Sequence, residues 1–253
     1  MNVDTVMQTN ALWAIVLGAT AAGATWLGGF LIARREWSRE YLKYFVALGA
    51  GFMLGVAFLE MIPESVHLAG DASFLFVLGG YLLVHFFEHT LAPHFHFGEE
   101  THVEEMAEHH VGFIALGGLM IHAFFDGVAI ASGFLISSWL GVVIFVAVLL
   151  HKLPEGFTVA SLMLASGQSR RVATLSSAAL GAATLAGVLL MNLLRAEVGY
   201  ALPISAGVTI YVAASDLMPE VNKEPGIRMA FIVFVGVALL AALHYLFNIP
   251  HTH

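Results

Sequence analysis

The chain has 253 residues, of which 59% are hydrophobic and 11% charged, against about 25% charged in ordinary soluble proteins. A water-soluble fold of this make-up would expose large apolar patches, so the composition excludes it and points to a membrane protein. With a net charge of −8, no basic cluster that reads as a nucleic-acid site and no cysteine, a nucleic-acid partner, a disulfide framework and a thiolate metal site are excluded as well.

A helix crosses the hydrocarbon core with about 20 mostly apolar residues. Eight segments meet that length: residues 11–33, 42–62, 73–92, 111–134, 139–165, 172–194, 200–219 and 228–247. Asp4, rather than a basic region, precedes the first, so a cleaved signal peptide is not expected. Arg34, Arg35, Arg39 and Lys43 separate the first segment from the second. The second ends in Glu60-Met61-Ile62-Pro63-Glu64, and the third in His85, Glu88 and His89. The stretch 93–110 is too polar to span. It holds His94, His96, His102, His109 and His110 among glutamates, a composition suited to buffering or sensing metal.

The fourth segment carries His122-Ala-Phe-Phe-Asp126-Gly127 and the fifth His151-Lys-Leu-Pro-Glu155-Gly156. Both read His-x-x-x-acid-Gly. Arg170 and Arg171 lie between the fifth segment and the sixth. The seventh ends in Asp216-Leu217-Met218-Pro219-Glu220, which repeats the acid-x-x-Pro-Glu ending of the second. Lys223 and Arg228 precede the eighth. Trp13, Trp26, Trp37 and Trp139 read as lipid-facing or interfacial anchors.

Cytoplasmic loops carry the excess of Lys and Arg. Eight of the ten basic residues fall in alternate loops on one side, with Arg195 opposite and Lys152 inside a segment. Both termini therefore face outside, and loop 93–110 faces the cytoplasm. Matched motifs on oppositely directed helices mark an inverted repeat, taken here as segments 1–4 against 5–8. The expected fold is an all-α polytopic membrane protein with eight transmembrane helices.

Ionisable groups at lipid depth cost several kcal/mol or so unless they face a partner or a water path. Residues four apart share a helix face, so His122 points with Asp126 and His151 with Glu155. His122 lies 15 residues before the turn at Ser137 and His151 lies 14 after it. At ~1.5 Å per residue both sit about 21–23 Å below that turn, near or somewhat beyond the midplane. Two imidazoles and two carboxylates at one depth suit tetrahedral Zn²⁺, and also Fe²⁺, Mn²⁺ or Cd²⁺. Pro154 removes an amide donor and kinks its helix there. An intramembrane zinc-dependent hydrolase and a passive metal channel are rival readings of the same residues.

These motifs resemble those of the ZIP (Zrt/Irt-like) metal transporters, whose fourth and fifth helices carry His-Asn-x-Pro-Glu-Gly-like and x-x-x-Pro-Glu-Gly-like signatures. The resemblance covers the whole chain and implies a single transmembrane ZIP-type domain, 1–253. It implies a multi-pass integral membrane protein, of the plasma (cell inner) membrane if prokaryotic, that takes Zn²⁺ or a related dication into the cytoplasm by alternating access. Its partners are then divalent metal ions, the bilayer and, as an option, a second copy in a homodimer. His122, Asp126, His151 and Glu155 match the family's first metal position. At its second, this chain has Ala123, which offers no donor, and Lys152, whose charge stands in for a second cation by pairing with Glu155 or Asp126. Phe125 replaces the family's proline. Glu60 and Glu64 are expected at the outer mouth, and Asp216, Glu220, His85, Glu88 and His89 on the way out. Segments 4 and 5, with parts of 2 and 7, are expected to move past a bundle containing 3 and 6.

Overall fold

The structure is a computed structural model and describes residues 3–34, 42–91, 109–224 and 226–247. Among these residues every element is helical. The helices are α1 (Val3–Arg34), α2 (Leu42–Val56), α3 (Ile62–Ala69), α4 (Ser73–Leu91), α5 (His109–Ile136), α6 (Ser138–Ala165), α7 (Arg170–Leu193), α8 (Val198–Tyr211), α9 (Met218–Asn222) and α10 (Ile227–Phe247). Seven stretches of the described residues are long and apolar enough to cross a membrane. One of them, Lys43–Thr90, runs 48 residues, more than twice the length one crossing needs. It breaks at Gly70, whose φ of 61° lies in the left-handed region where glycine is favoured.

The second and seventh segments are each interrupted by one π-helical turn, Ala57–Met61 and Val212–Leu217. In both the next amide reaches back five residues, Ile62 to the Ala57 carbonyl and Met218 to that of Ala213. Pro63 and Pro219 follow at once. A proline has no N–H to continue the ladder, and a widened turn just before it turns the acids Glu60 and Asp216 inward, where both are buried. The repeated ending is thus a repeated backbone feature.

Packing gives the repeat its boundaries. α5 lies on α7 as α6 lies on α1, and α4 lies on α8 as α10 lies on α2. The second segment also meets α6 as the seventh meets α5. This pattern relates segments 1–3 to 6–8 and pairs segment 4 with segment 5. A division into 1–4 and 5–8 would instead make α1 pack on α10 as α5 packs on α6, and no such packing joins α1 and α10 among the described residues. The expected division is therefore corrected by one helix.

The matched crossings are set by glycines facing the opposite backbone. Added side chains at Gly127 and Gly187 would strike the carbonyls of Thr184 and Phe124, binding α5 to α7. Gly156 meets the Thr25 carbonyl and Gly28 that of Leu153, binding α6 to α1. In lipid, helices attract one another by close packing rather than by escape from water, so small residues decide where backbones meet. Gly127 and Gly156 allow close approach as expected, but towards α7 and α1. The sixth segment is held against the first and fourth, so it belongs with the helices it was expected to slide past.

Large apolar side chains such as Leu75, Leu193, Ile227, Phe234 and Tyr245 point outward, which suits lipid and not water. Trp13 and Trp26 are exposed as anchors should be, whereas Trp139 packs against the core. Lys43 donates to Glu224 at 2.9 Å, and the Ser138 hydroxyl to the Asn10 side chain at 3.0 Å. These contacts bring together loops assigned to the same side of the bilayer.

The glycine crossings predict that Gly127→Ala and Gly156→Ala each cost about 1–3 kcal/mol by overpacking and lower the thermal midpoint of the purified protein. Gly79→Ala, with open space around it, is expected to leave the midpoint unchanged. Equal midpoints for all three variants would contradict the packing.

Candidate metal centre

α5 and α6 form a hairpin through Ser137, whose side chain accepts from the Leu140 amide and caps α6. The hairpin sets two helices side by side with their His/acid faces turned inward. His122, Asp126, His151 and Glu155 are all buried, and one ligand atom from each lies within 4.8 Å of all the others. His122 Nε2 stands 3.1 Å from Asp126 Oδ2 and 3.8 Å from Glu155 Oε1, and His151 Nε2 stands 3.2 Å from Asp126 Oδ2. Ligand atoms of a tetrahedral site with bonds of about 2.1 Å stand about 3.4 Å apart. The cluster already has that scale.

One of the two imidazoles, that of His151, is held by the backbone. His151 Nδ1 lies 3.0 Å from the Ala147 carbonyl. A carbonyl only accepts, so Nδ1 donates to it and Nε2 is turned to the centre, 3.2 Å from Asp126 Oδ2, the orientation in which metal-binding histidines are held. His122 Nδ1 and Glu155 Oε1 are buried without a hydrogen-bond partner. Such atoms cost free energy unless something pairs with them.

Lys152 completes the centre. Its ammonium is fully buried, 2.7 Å from Asp126 Oδ2 and 2.5 Å from Glu155 Oε2. Both expected partners are engaged at once, and Ala123 is buried nearby without a donor. Phe125 leaves α5 an unbroken helix, while α6 continues through Pro154.

The remaining expected residues form two smaller groups. Glu60, on the first π-turn, accepts from His244 of α10 at 2.8 Å. Asp216, on the second, is buried with Oδ1 unpartnered, and Glu88 of α4 is its charged neighbour. Glu60 and Asp216 each lie nine residues beyond a crossing glycine, Gly51 and Gly207. His244 and Glu88 each lie eight beyond Gly236 and Gly80. The two groups are therefore mates under the repeat, an acid–imidazole pair at one end and two carboxylates at the other. Tyr211 donates to Glu88 at 2.9 Å. His85 and His89 stack at 4.0 Å on an exposed face of α4. Glu64 is half-buried, and Glu220 pairs with Lys223 at 3.1 Å. His244 and Tyr211 were missed in the sequence, although a lone histidine inside the last apolar run was a signal for the former. His94, His96 and His102 lie outside the described residues, as do the side chains of His109 and His110.

Residues 98–244, more than half of the chain, match the family model described as ZIP Zinc transporter. The chain belongs to the ZIP zinc transporter family. It is 34% identical over 135 residues to an uncharacterised protein of Methanocaldococcus jannaschii, covering 53% of this chain and 55% of that one. It is 28% identical over 148 residues to the zinc transporter ZIP13 homolog of Drosophila melanogaster, covering 54% and 42%. It is 26% identical over 247 residues to zinc transporter ZIP9-A of Xenopus laevis, covering 78% and 81%. The match thus spans about half the length of the first two relatives. The family is one of transporters and not of enzymes, which sets the hydrolase reading aside.

Asp126 and Lys152 should behave as a unit. Asp126→Asn leaves a buried ammonium with one carboxylate instead of two, at a cost of up to about 3–5 kcal/mol. Adding Lys152→Met to that variant should restore much of the thermal midpoint, as a double-mutant cycle would measure. Strictly additive losses would show that the two side chains do not interact.

Proposed function

We propose that this protein carries a divalent cation, Zn²⁺ above others, across the membrane into the cytoplasm by alternating access through the His122, Asp126, His151 and Glu155 centre. The observation that carries this reading is the convergence of these four buried side chains on α5 and α6 to within 4.8 Å. Eight crossings are assigned, with α2–α3 and α4 taken as separate crossings on either side of Gly70. Both termini then face outside. The metal enters past Glu60, Glu64 and His244 and leaves past Asp216 and Glu88. With α1, α5, α6 and α7 closely packed, and α10 on α2 and α4 on α8, the first four form the carrying body. The other crossings form the frame it moves against.

Lys152 sets the charge of the cycle. With Asp126 and Glu155 ionised, the lysine leaves the emptied centre with one net negative charge instead of two. Loaded with a dication, the centre carries one net positive charge, where without the lysine it would be neutral. The lysine therefore lowers the cost of returning the empty site through a low-dielectric interior and weakens the hold on the metal. It also stands where a second ion would sit, which fixes one transported ion per cycle.

A panel of dications offered to proteoliposomes tests the reading. Zn²⁺ should accumulate inside, and His151→Ala should reduce uptake about tenfold or more, since even the outer supports of a metal site are worth 10–100-fold. Uptake unchanged by His151→Ala would overturn the reading. Lys152→Met should bind Zn²⁺ more tightly and turn over more slowly, and Lys152→Asp should raise the bound stoichiometry from one ion to two. A persistently single ion in Lys152→Asp would show that the lysine does not substitute for a cation.

A further inference from the structure

Away from the metal path, a cleft of about 590 Å³ opens between the end of α1 and the start of α7. Its walls differ in chemistry. Phe30, Ala33 and Leu175 make one apolar, and Leu175 is 58% exposed on the outward face. Arg34, Arg170 and Arg171 make the other. Arg34 lies over the Phe30 ring at 4.4 Å, which holds its guanidinium at the mouth. Among the described residues no carboxylate pairs with any of the three arginines.

We propose that this cleft binds the phosphate headgroup of an anionic phospholipid. Three guanidinium groups offer forked donors that match phosphate oxygens two at a time. The apolar wall continues onto the lipid-facing surfaces of α1 and α7, through Leu27 and Leu175, which suits the glycerol and acyl portion of the same molecule. The arginines stand at helix ends, at the depth where headgroups lie. Basic clefts between helices at that depth hold anionic headgroups. A soluble phosphate would use the charged wall alone and leave the apolar one without a purpose. The bound lipid would bridge α1 and α7, two helices that are mates under the internal repeat.

The test uses the full chain in mixed micelles holding equal phosphatidylglycerol and phosphatidylcholine, with retained lipid counted by native mass spectrometry. The unaltered protein should keep phosphatidylglycerol over phosphatidylcholine by about tenfold, a free-energy difference of about 1.4 kcal/mol. The triple variant Arg34→Gln, Arg170→Gln, Arg171→Gln should keep the two equally. Arg34→Gln and Arg171→Gln singly should each lower the preference, an arm that does not depend on the triple variant folding. Arg195→Gln, distant from the cleft, should leave it intact. Equal preference in the protein and the triple variant, or none in either, would overturn the proposal. Excess inorganic phosphate should fail to displace the lipid; displacement would show that the cleft reads a free anion instead.

Discussion

Three formal charges meet in the α5–α6 hairpin, and the mutual neutralisation of Asp126, Lys152 and Glu155 is what the rest of the structure has to accommodate. Two carboxylates alone would repel each other across a few ångströms in a medium that screens weakly. One ammonium touching both removes most of that repulsion and leaves an odd negative charge facing two imidazoles. The hairpin of α5 and α6 exists to bring those side chains to one point, and the neighbouring helices hold the hairpin.

That hold comes from shape more than from chemistry. Glycines on α5 and α6 press against the carbonyls of α7 and α1, and glycines on α7 and α1 return the contact. The same reciprocal arrangement joins α2 with α10 and α4 with α8. An internal two-fold relation makes the two halves of the molecule alike in backbone and leaves their side chains free to differ. The difference is visible at the ends, where Glu60 meets an imidazole and Asp216 meets another carboxylate. Under the proposed function, a carrier that accepts a cation on one side and releases it on the other would gain from that asymmetry.

Much of this was legible in the sequence because lipid punishes unpaired polar groups. The His-x-x-x-acid-Gly motifs stood out against apolar surroundings, and helical periodicity placed each His and acid on one face. Lys152 announced its partners by the same logic. Less legible were features set by backbone contact at long range. Gly127 and Gly156 were visible as small residues, but nothing local said that their neighbours would be Thr184 and Thr25. The repeat was therefore read with its boundary one helix out of place, although the acid-x-x-Pro-Glu endings of segments 2 and 7 already contradicted a 1–4 against 5–8 division. The π-turns were hidden because Pro63 and Pro219 read equally as simple helix ends. His244 was missed because a single histidine near a chain end carries no pattern until Glu60 is found beside it.

Zinc-edge X-ray absorption on the metal-loaded protein in lipid tests the central claim most directly. One zinc per chain is predicted, in a shell of two imidazole nitrogens and carboxylate oxygens at about 2.0–2.2 Å, with one nitrogen lost in His122→Ala and one in His151→Ala. A shell without imidazole, or one unaltered by both substitutions, would contradict the account.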